Sequence, residues 1–173
     1  MIPTLETERL ILRPHVTTDF DAYAEMWADP DVVRFIGGVP FTREQAWTRF
    51  LRHGGVWHHL GFGFFAVEEK ETGRLVGEAG FHDLHRELEP SIDGTLEAGW
   101  GLVPGAQGWG YATEAMGAAI SWGASMFPAL RMTCIIDPDN LPSIRVASRL
   151  GFKELARTSY HDTKVVLFER QPQ

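Results

Sequence analysis

The fold is decided by the stretch Leu96-Glu97-Ala98-Gly99-Trp100-Gly101-Leu102-Val103-Pro104-Gly105-Ala106-Gln107-Gly108-Trp109-Gly110-Tyr111-Ala112. It begins as an apolar run suited to a strand, and Pro104 and Gly105 then favour a turn. A loop with two glycines follows, and an Ala-rich segment of helical character begins at Tyr111. A strand, a glycine-rich loop and a helix N-terminus in this order form an anion-binding cradle. The first-turn N–H groups of a helix lack internal partners, and the helix dipole is positive there.

The glycine spacing distinguishes between three phosphate-binding patterns. A P-loop requires Lys and Ser or Thr after its last glycine, but Tyr111-Ala112 follows Gly110. A dinucleotide-binding loop requires Gly or Ala three residues later, where Thr113 stands. The pattern that matches is Gln-x-x-Gly-x-Ala, which begins at Gln107 and resembles the acetyl-CoA pyrophosphate loop of the GNAT N-acetyltransferases. The alternative is an ordinary strand-to-helix turn made of small residues.

The composition is that of a soluble globular protein, and the 173 residues predict a single domain over residues 1–173. A net charge of −7 argues against a nucleic-acid or membrane partner. The only cysteine, Cys134, excludes an intrachain disulfide and a cysteine zinc cluster, and its alternation with apolar neighbours predicts a core position. Neither a secretory segment nor an apolar stretch of bilayer length is recognisable. We therefore expect a cytoplasmic protein.

The hydrophobic periodicity predicts a strand, two helices, three antiparallel strands, a helix, a strand, a short helix and two strands. Asp29-Pro30 should end the first helix, and Thr42 with Gln45 forms a capping box that should begin the second. The inner face of the second helix is predicted to carry four residues: Trp47, Phe50, Leu51 and Gly54. Gly99 and Gly101 suggest a bulge or the close approach of a ligand. The element order favours an α/β layer with a mixed sheet.

Four further motifs strengthen the resemblance, and they fall in order from residue 7 to about residue 152. They are Thr7-Glu8-Arg9-Leu10-x-Leu12-Arg13-Pro14, Thr72-Gly73-x-Leu75-x-Gly77-x-x-Gly80, Glu97-x-Gly99-Trp100, and Asn140-x-x-Ser143 followed by Leu150-Gly151-Phe152. Together they resemble the RimJ/RimL-type acetyltransferases of the GNAT superfamily, with Trp100 where Tyr is usual. The resemblance implies the GNAT fold, in which helices flank a central mixed, mostly antiparallel sheet.

The resemblance also implies that acetyl-CoA is the co-substrate. Gln107 stands where the family often has Arg, so the main chain of the loop should do most of the pyrophosphate binding. Pantetheine would pair with Leu102 and Val103 as an added strand would. The residues implied in acetyl-CoA binding are Leu102, Val103, Gln107, Gly108, Trp109, Gly110, Tyr111, Ala112, Asn140, Ser143, Arg145 and Arg149. For the last two, the alternative is a solvated basic face.

Amide formation needs a neutral amine, a polarised thioester carbonyl and a proton for the departing CoA thiolate. Glu97 is the candidate base, acting directly or through water, and the alternative is that it only positions the acceptor. Ser143 is the candidate thiolate donor, and the alternative is helix capping by Ser143 or Asn140. Tyr160 and Tyr111 are further candidate donors. We expect no metal, since His82-x-x-His85 with Asp83 has no fourth ligand and is more typical of loop histidines.

An acidic insertion from Asp83 to Gly94 precedes the strand that holds Glu97. It carries four carboxylates against the single Arg86, so it is expected either to attract an ammonium group or to be a solvated surface loop. Trp27 and Phe35 are further candidates for the acceptor side.

These motifs predict an N-acetyltransferase that uses direct transfer in a ternary complex, with no covalent enzyme intermediate. The acceptor is expected to be a protein N-terminus or a small amine. The alternative from another class is a non-catalytic acyl-CoA sensor with the same fold. Whether two copies form a homodimer stays open.

Overall fold

An eight-stranded mixed sheet runs through the protein in the computed structural model, which describes residues 1–172. Its spatial order is β1-β2-β3-β4-β5-β6-β8-β7, and every neighbouring pair is antiparallel except β5 and β6, which are parallel. The predicted mixed, mostly antiparallel sheet is confirmed. The strands are β1 (Leu5–Glu6), β2 (Leu10–Arg13), β3 (Phe64–Glu69), β4 (Arg74–His82), β5 (Leu96–Leu102), β6 (Met132–Ile136), β7 (Lys153–Tyr160) and β8 (Thr163–Arg170).

Helices cover both faces of the sheet. They are α1 (Phe20–Ala28), α2 (Pro30–Val33), α3 (Arg43–Leu60), α4 (Tyr111–Met126) and α5 (Leu141–Arg149). Ala79 of β4 is buried in the same apolar cluster as Ala115 and Ala119 of α4. Its neighbour Glu78 bonds to Arg49 of α3. Because successive strand side chains point to opposite faces, α3 and α4 lie on opposite faces of the sheet.

The second helix begins as predicted but turns a different face inward. The capping box between Thr42 and Gln45 is present, and Gly61 ends the helix with a left-handed φ of +74°. The side chains that α3 buries are Ala46, Phe50, His53 and Trp57. Trp47 and Leu51 are 37% and 56% exposed, so the predicted inner face is wrong at these positions. The buried set follows the helical period, and a histidine within it hid that period in the sequence.

Strand β5 separates from β6 after two paired residues, Leu96 with Met132 and Glu97 with Thr133. On the other side it stays paired with β4 from Glu97 to Leu102 without a register shift, so of the alternatives offered for Gly99 and Gly101 the bulge is not found in this pairing. The Leu96 amide donates to β6 at the Arg131 carbonyl, 3.1 Å away. Because main-chain groups alternate along a strand, those of Ala98, Trp100 and Leu102 face the gap between the separated strands.

The glycine at position 99 is required by packing inside the sheet. A Cβ atom built there would lie 2.7 Å from the ring of Phe64, which crosses the strand. Its neighbour Gly101 faces Trp27 at 3.9 Å. The small residues of β5 therefore make room for aromatic side chains from β3 and α1.

The acidic insertion is anchored to the sheet rather than free in solvent. Its Leu88 and Ile92 are buried against Val165 and Leu167 of β8. None of the helices found in residues 1–172 is both long and apolar enough to cross a membrane.

Candidate active site

The glycine-rich loop forms an open main-chain surface at the start of α4. Gly108 and Gly110 both have a left-handed φ of +81°, a conformation that other residues adopt at a cost. No atom lies within 4 Å of a Cβ built at Gly108, and only the Arg9 guanidinium lies near one built at Gly110, at 3.6 Å. The loop can therefore present main-chain N–H groups to a phosphate without a side chain in between.

An arginine from the N-terminal motif holds this loop. The Arg9 Nη1 atom donates to the main-chain carbonyl of Trp109 at 2.9 Å. The main-chain amide and Nε of Arg9 donate to the two oxygens of Glu114, in the first turn of α4, at 2.8 and 2.7 Å. The Thr7 hydroxyl donates to the same carboxylate at 2.6 Å. The first residues of the motif thus fix the loop to the helix it precedes, a role that the sequence did not reveal.

The loop opens into a groove with a cavity of about 340 Å³, into which α5 also projects. Of the twelve residues implied in acetyl-CoA binding, ten line it, namely Leu102, Gln107, Gly108, Gly110, Tyr111, Ala112, Asn140, Ser143, Arg145 and Arg149. Trp109 contributes its carbonyl to Arg9 instead, and its side chain is 65% exposed.

The structure does not support Val103 as a pantetheine partner. Its amide donates to the carbonyl of Val76 and its carbonyl accepts from the amide of Ala106, both at 2.9 Å. Leu102 faces the gap, but its carbonyl accepts from the Gln107 side chain at 3.2 Å. The main chain of Trp100 faces the gap as well, and the sequence analysis did not name Trp100 as a binding residue.

A second cavity of about 690 Å³ lies on the α3 side of the sheet. Trp27 and Phe35, suggested for the acceptor side, both line it. It shares five lining residues with the groove, namely Phe35, Ile36, Trp100, Asn140 and Ser143. The two cavities therefore meet where β5 and β6 separate.

Asn140 and Ser143 stand at this junction at the start of α5. The Oδ1 atom of Asn140 accepts from the Ser143 amide at 3.2 Å, so Asn140 caps the helix. This helix-capping role does not use the Ser143 hydroxyl. Tyr111 is a poor candidate donor, because its hydroxyl donates to Glu69 at 2.6 Å. Tyr160 lines the second cavity.

Glu97 lies in the second cavity as part of an ion cluster, and it is 4% exposed. The Nε of Arg86 donates to both of its oxygens, at 2.9 and 2.8 Å. The Nε2 of His82 lies 2.9 Å from Oε1. Burial opposes ionisation, but the hydrogen bonds and charges of His82 and Arg86 outweigh it and lower the pKa of Glu97. Glu97 is therefore held as an anion that orients its neighbours.

The sequence did not single out His82 as a site residue. It ends β4 directly opposite Glu97 in the strand register, and it lines the second cavity. A hydrogen on Nε2 that donates to Glu97 leaves Nδ1 unprotonated and able to accept a proton. The sequence shows only that His82 lies at the end of the strand before the one that holds the candidate base Glu97. Their direct pairing depends on the strand register, which only the structure gives.

A second ion cluster lies at Glu78, which is 1% exposed. It accepts from Arg49 at 3.1 Å, and the His53 Nε2 lies 2.9 Å from its other oxygen. The charges of His53 and Arg49 outweigh burial and hold the pKa of Glu78 well below its ordinary range. Cys134 lies on the floor of the cavity, and burial raises the pKa of its thiol well above the ordinary value. A thiolate nucleophile is therefore unfavourable at this position.

The acidic insertion contributes Leu84 and Arg86 to the cavity wall, while Asp83, Glu87, Glu89 and Asp93 do not line it. Asp83 accepts from the Gly94 amide at 2.9 Å and so closes the loop. Glu87 and Glu89 are exposed. Attraction of an amine by these carboxylates stays a prediction.

A sheet that splits beside a glycine-rich helix start, with one cavity on each side of the split, is the architecture of an acyl-CoA-dependent acyltransferase. The model of the acetyltransferase (GNAT) domain matches residues 9–153. The chain belongs to the GNAT acetyltransferases, a family that uses acetyl-CoA.

Individual relatives agree with this assignment. The uncharacterized N-acetyltransferase p20 of Bacillus licheniformis is 30% identical over 152 residues, which cover 87% of this chain and 83% of that protein. A GNAT-family acetyltransferase structure from Bordetella pertussis is similar with a TM-score of 0.87 and 33% identity, covering 97% of this chain and 99% of the other. The ribosomal-protein-S5-alanine acetyltransferase of Vibrio fischeri shares the fold, with a TM-score of 0.77, 18% identity, and coverage of 98% and 97%.

Proposed function

We propose that the protein transfers the acetyl group of acetyl-CoA directly to a primary amine. The observation that carries this proposal is the junction of the two cavities at Trp100, Asn140 and Ser143. One cavity is lined by the glycine-rich loop and the other by the Glu97 cluster, so a thioester entering from one side meets an amine entering from the other. Two reactants held in this way form a ternary complex, which needs no covalent enzyme intermediate.

The groove holds the CoA portion of the substrate. Main-chain N–H groups of the loop bind the pyrophosphate, and the positive end of α4 adds to this attraction. The main chain of Trp100 pairs with the pantetheine arm inside the split of the sheet. Arg145 and Arg149 line the same groove and contact further phosphate oxygens.

The Glu97 cluster removes the proton that the amine loses. Glu97 keeps the Nε2 side of His82 occupied, and His82 accepts the proton through Nδ1, directly or by way of water. The amine nitrogen then bonds to the acetyl carbon as the carbon–sulfur bond breaks. Ser143 gives its proton to the departing thiolate and regains one from solvent, to which His82 releases the proton it accepted. This assignment keeps Glu97 in the site as the residue that positions the proton acceptor.

The proposal is tested by measuring free thiol release from acetyl-CoA across a panel of peptides and amines. Wild type should release thiol only in the presence of an accepted amine. Gly110→Val should weaken acetyl-CoA binding at least tenfold, about 1.4 kcal/mol, because a β-branched residue resists the left-handed conformation and fills the cradle. The control is Gly73→Val, at another glycine of positive φ far from the groove in the β3–β4 turn.

A non-catalytic sensor would give a different outcome, since it would bind acetyl-CoA but release no thiol with any amine. Unchanged affinity in a folded Gly110→Val variant would remove the loop from the site.

A further inference from the structure

Two arginines one turn apart on α3, Arg49 and Arg52, line the second cavity, which the Glu97 cluster also lines. They also line a shallow groove along the start of α3. Arg49 is fixed in place. Its guanidinium lies 4.0 Å from the ring centre of Trp27 and donates to Glu78 at 3.1 Å. Its Nε atom is buried without a hydrogen-bond partner among residues 1–172.

The charges that line this cavity do not balance, because four arginines meet only three carboxylates. The arginines are Arg34, Arg49, Arg52 and Arg86, and the carboxylates are Glu78, Glu97 and Asp137. Arg49 pairs with Glu78 and Arg86 pairs with Glu97. Arg52 has no carboxylate within 4.0 Å in the part of the chain that the structure describes. Arg52 is exposed where it lines the cavity, so its guanidinium is open to a ligand. The like charge of Arg49 lies one turn away on α3, and an anion that enters the cavity offsets the repulsion between the two cations.

The strand register gives the distance between the Glu78 partner of Arg49 and His82. Glu78, which holds Arg49, pairs with Gly101, and His82 pairs with Glu97. His82 lies four positions along β4 from Glu78, a span of about 13 Å. Aromatic side chains line the space between, including Trp27 and Phe64. An acceptor that reaches both ends must carry its anion several bonds away from its amine.

We propose that Arg52 binds a carboxylate of the acceptor, and that the acceptor is a small peptide-like amine with a free terminal carboxylate. This inference rests on the proposed acetyl transfer and names its substrate class. A carboxylate bound by guanidinium groups forms charge-assisted hydrogen bonds, which are stronger than neutral ones. The charge on the acceptor, rather than the identity of its amine, is then the main source of selection.

The test compares dipeptides with their C-terminal amides, since each pair has the same amine and differs only in the terminal charge. In wild type, kcat/KM for the acids should exceed that for the amides at least tenfold, and the ratio should fall with added salt. Arg52→Gln should bring the ratio to within twofold of one, because only the acids lose an interaction with the guanidinium. Arg52→Lys should restore part of the ratio.

The matched control is Arg43→Gln, which removes an arginine from the same helix outside the cavity and should leave the ratio unchanged. A wild-type ratio near one, a preference for the amides, or turnover of simple amines without any dipeptide would overturn the carboxylate site. A tenfold ratio that persists in Arg52→Gln would also overturn it. Failure of the proposed function looks different, because no amine of either kind would then release thiol.

Discussion

The Nε2 atom of His82 lies 2.9 Å from Oε1 of Glu97, across two paired strands. Arg86 binds the same carboxylate through both oxygens, so Glu97 stays ionised and has little affinity for another proton. A carboxylate in this state suits the orientation of a histidine better than general-base catalysis of its own. We therefore propose that His82, rather than Glu97, accepts the proton.

His82→Gln should lower kcat by about 10²-fold or more, the range of a lost general base, with acetyl-CoA affinity kept. Glu97→Gln should also lower kcat and should shift its pH profile, because the neutral amide no longer stabilises a protonated His82. His85→Gln is the control, since that histidine is 78% exposed on the neighbouring loop. Steady-state kinetics across pH measure both effects. A wild-type dependence of kcat on pH in both His82→Gln and Glu97→Gln would exclude these two residues from proton transfer.

Arg9→Gln should weaken acetyl-CoA binding about fivefold, because it removes the donor that holds the Trp109 carbonyl and one partner of Glu114. The melting temperature should also fall, because the ion pair between Arg9 and Glu114 joins the N-terminal segment to α4. Titration calorimetry and thermal unfolding measure the two effects. Arg157→Gln, which removes an exposed ion pair on β7, should change neither. Unaltered affinity in Arg9→Gln would show that the loop holds its shape without this contact.

Ser143→Ala should lower kcat by 10²- to 10⁴-fold and leave acetyl-CoA affinity nearly intact, as expected for the loss of a general acid. The helix cap should survive, since it uses the amide of Ser143 and the side chain of Asn140. Ser148→Ala, an exposed position on the same helix, is the control. If only the affinity for acetyl-CoA fell, Ser143 would be a binding residue and the proton would have to come from elsewhere, with Tyr160 the next candidate.

The buried His15 should make the protein less stable as the pH falls. Burial and the charge of His53 lower its pKa from 6.5 to about 4, against the opposing attraction of Glu78 and Asp19 and with a smaller lowering by Arg13. The unfolded chain takes up a proton on this residue near pH 6.5, whereas the folded chain does so only near pH 4. Between these values the unfolded state binds more protons, so the free energy of unfolding decreases as the pH falls.

The contribution of His15 has a ceiling of about 3 kcal/mol, at 1.36 kcal/mol for each unit of pKa difference. Urea unfolding at pH 7 and pH 5 should therefore show a smaller pH-dependent loss for His15→Leu than for wild type. His58→Leu, at an exposed histidine of α3, should keep the wild-type loss. An equal loss in all three proteins would mean that His15 is protonated in the native state.

Much of the fold could be predicted from the sequence because its signals are local. Glycines, prolines and the capping pair Thr42 and Gln45 mark the ends of elements, and alternation marks the strands. The glycine-rich loop was recognisable for the same reason. The inner face of α3 was not, since Trp47 and Leu51 are large apolar side chains that remain on the surface while His53 is buried.

The decisive contacts of the site are not local. Arg9 and Glu114 are 105 residues apart in the chain, and His82 meets Glu97 only through the pairing of two strands. Val103 shows the opposite case, a residue that the sequence suggests for the site although its contacts are elsewhere. It follows β5 directly, but both of its main-chain groups form hydrogen bonds within the protein. Residue type and spacing can propose such members of a site, but the register and the split of the sheet decide which of them face the substrates.

The most direct test of acetyl transfer follows the fate of the acetyl group itself. The protein would be mixed with acetyl-CoA labelled in the acetyl carbons and with an accepted amine, and the products and the protein would be weighed by mass spectrometry. Our account predicts one labelled N-acetyl product for every thiol released, with no label on the protein. Thiol release with labelled acetate as the product, or with label retained on the protein, would contradict it.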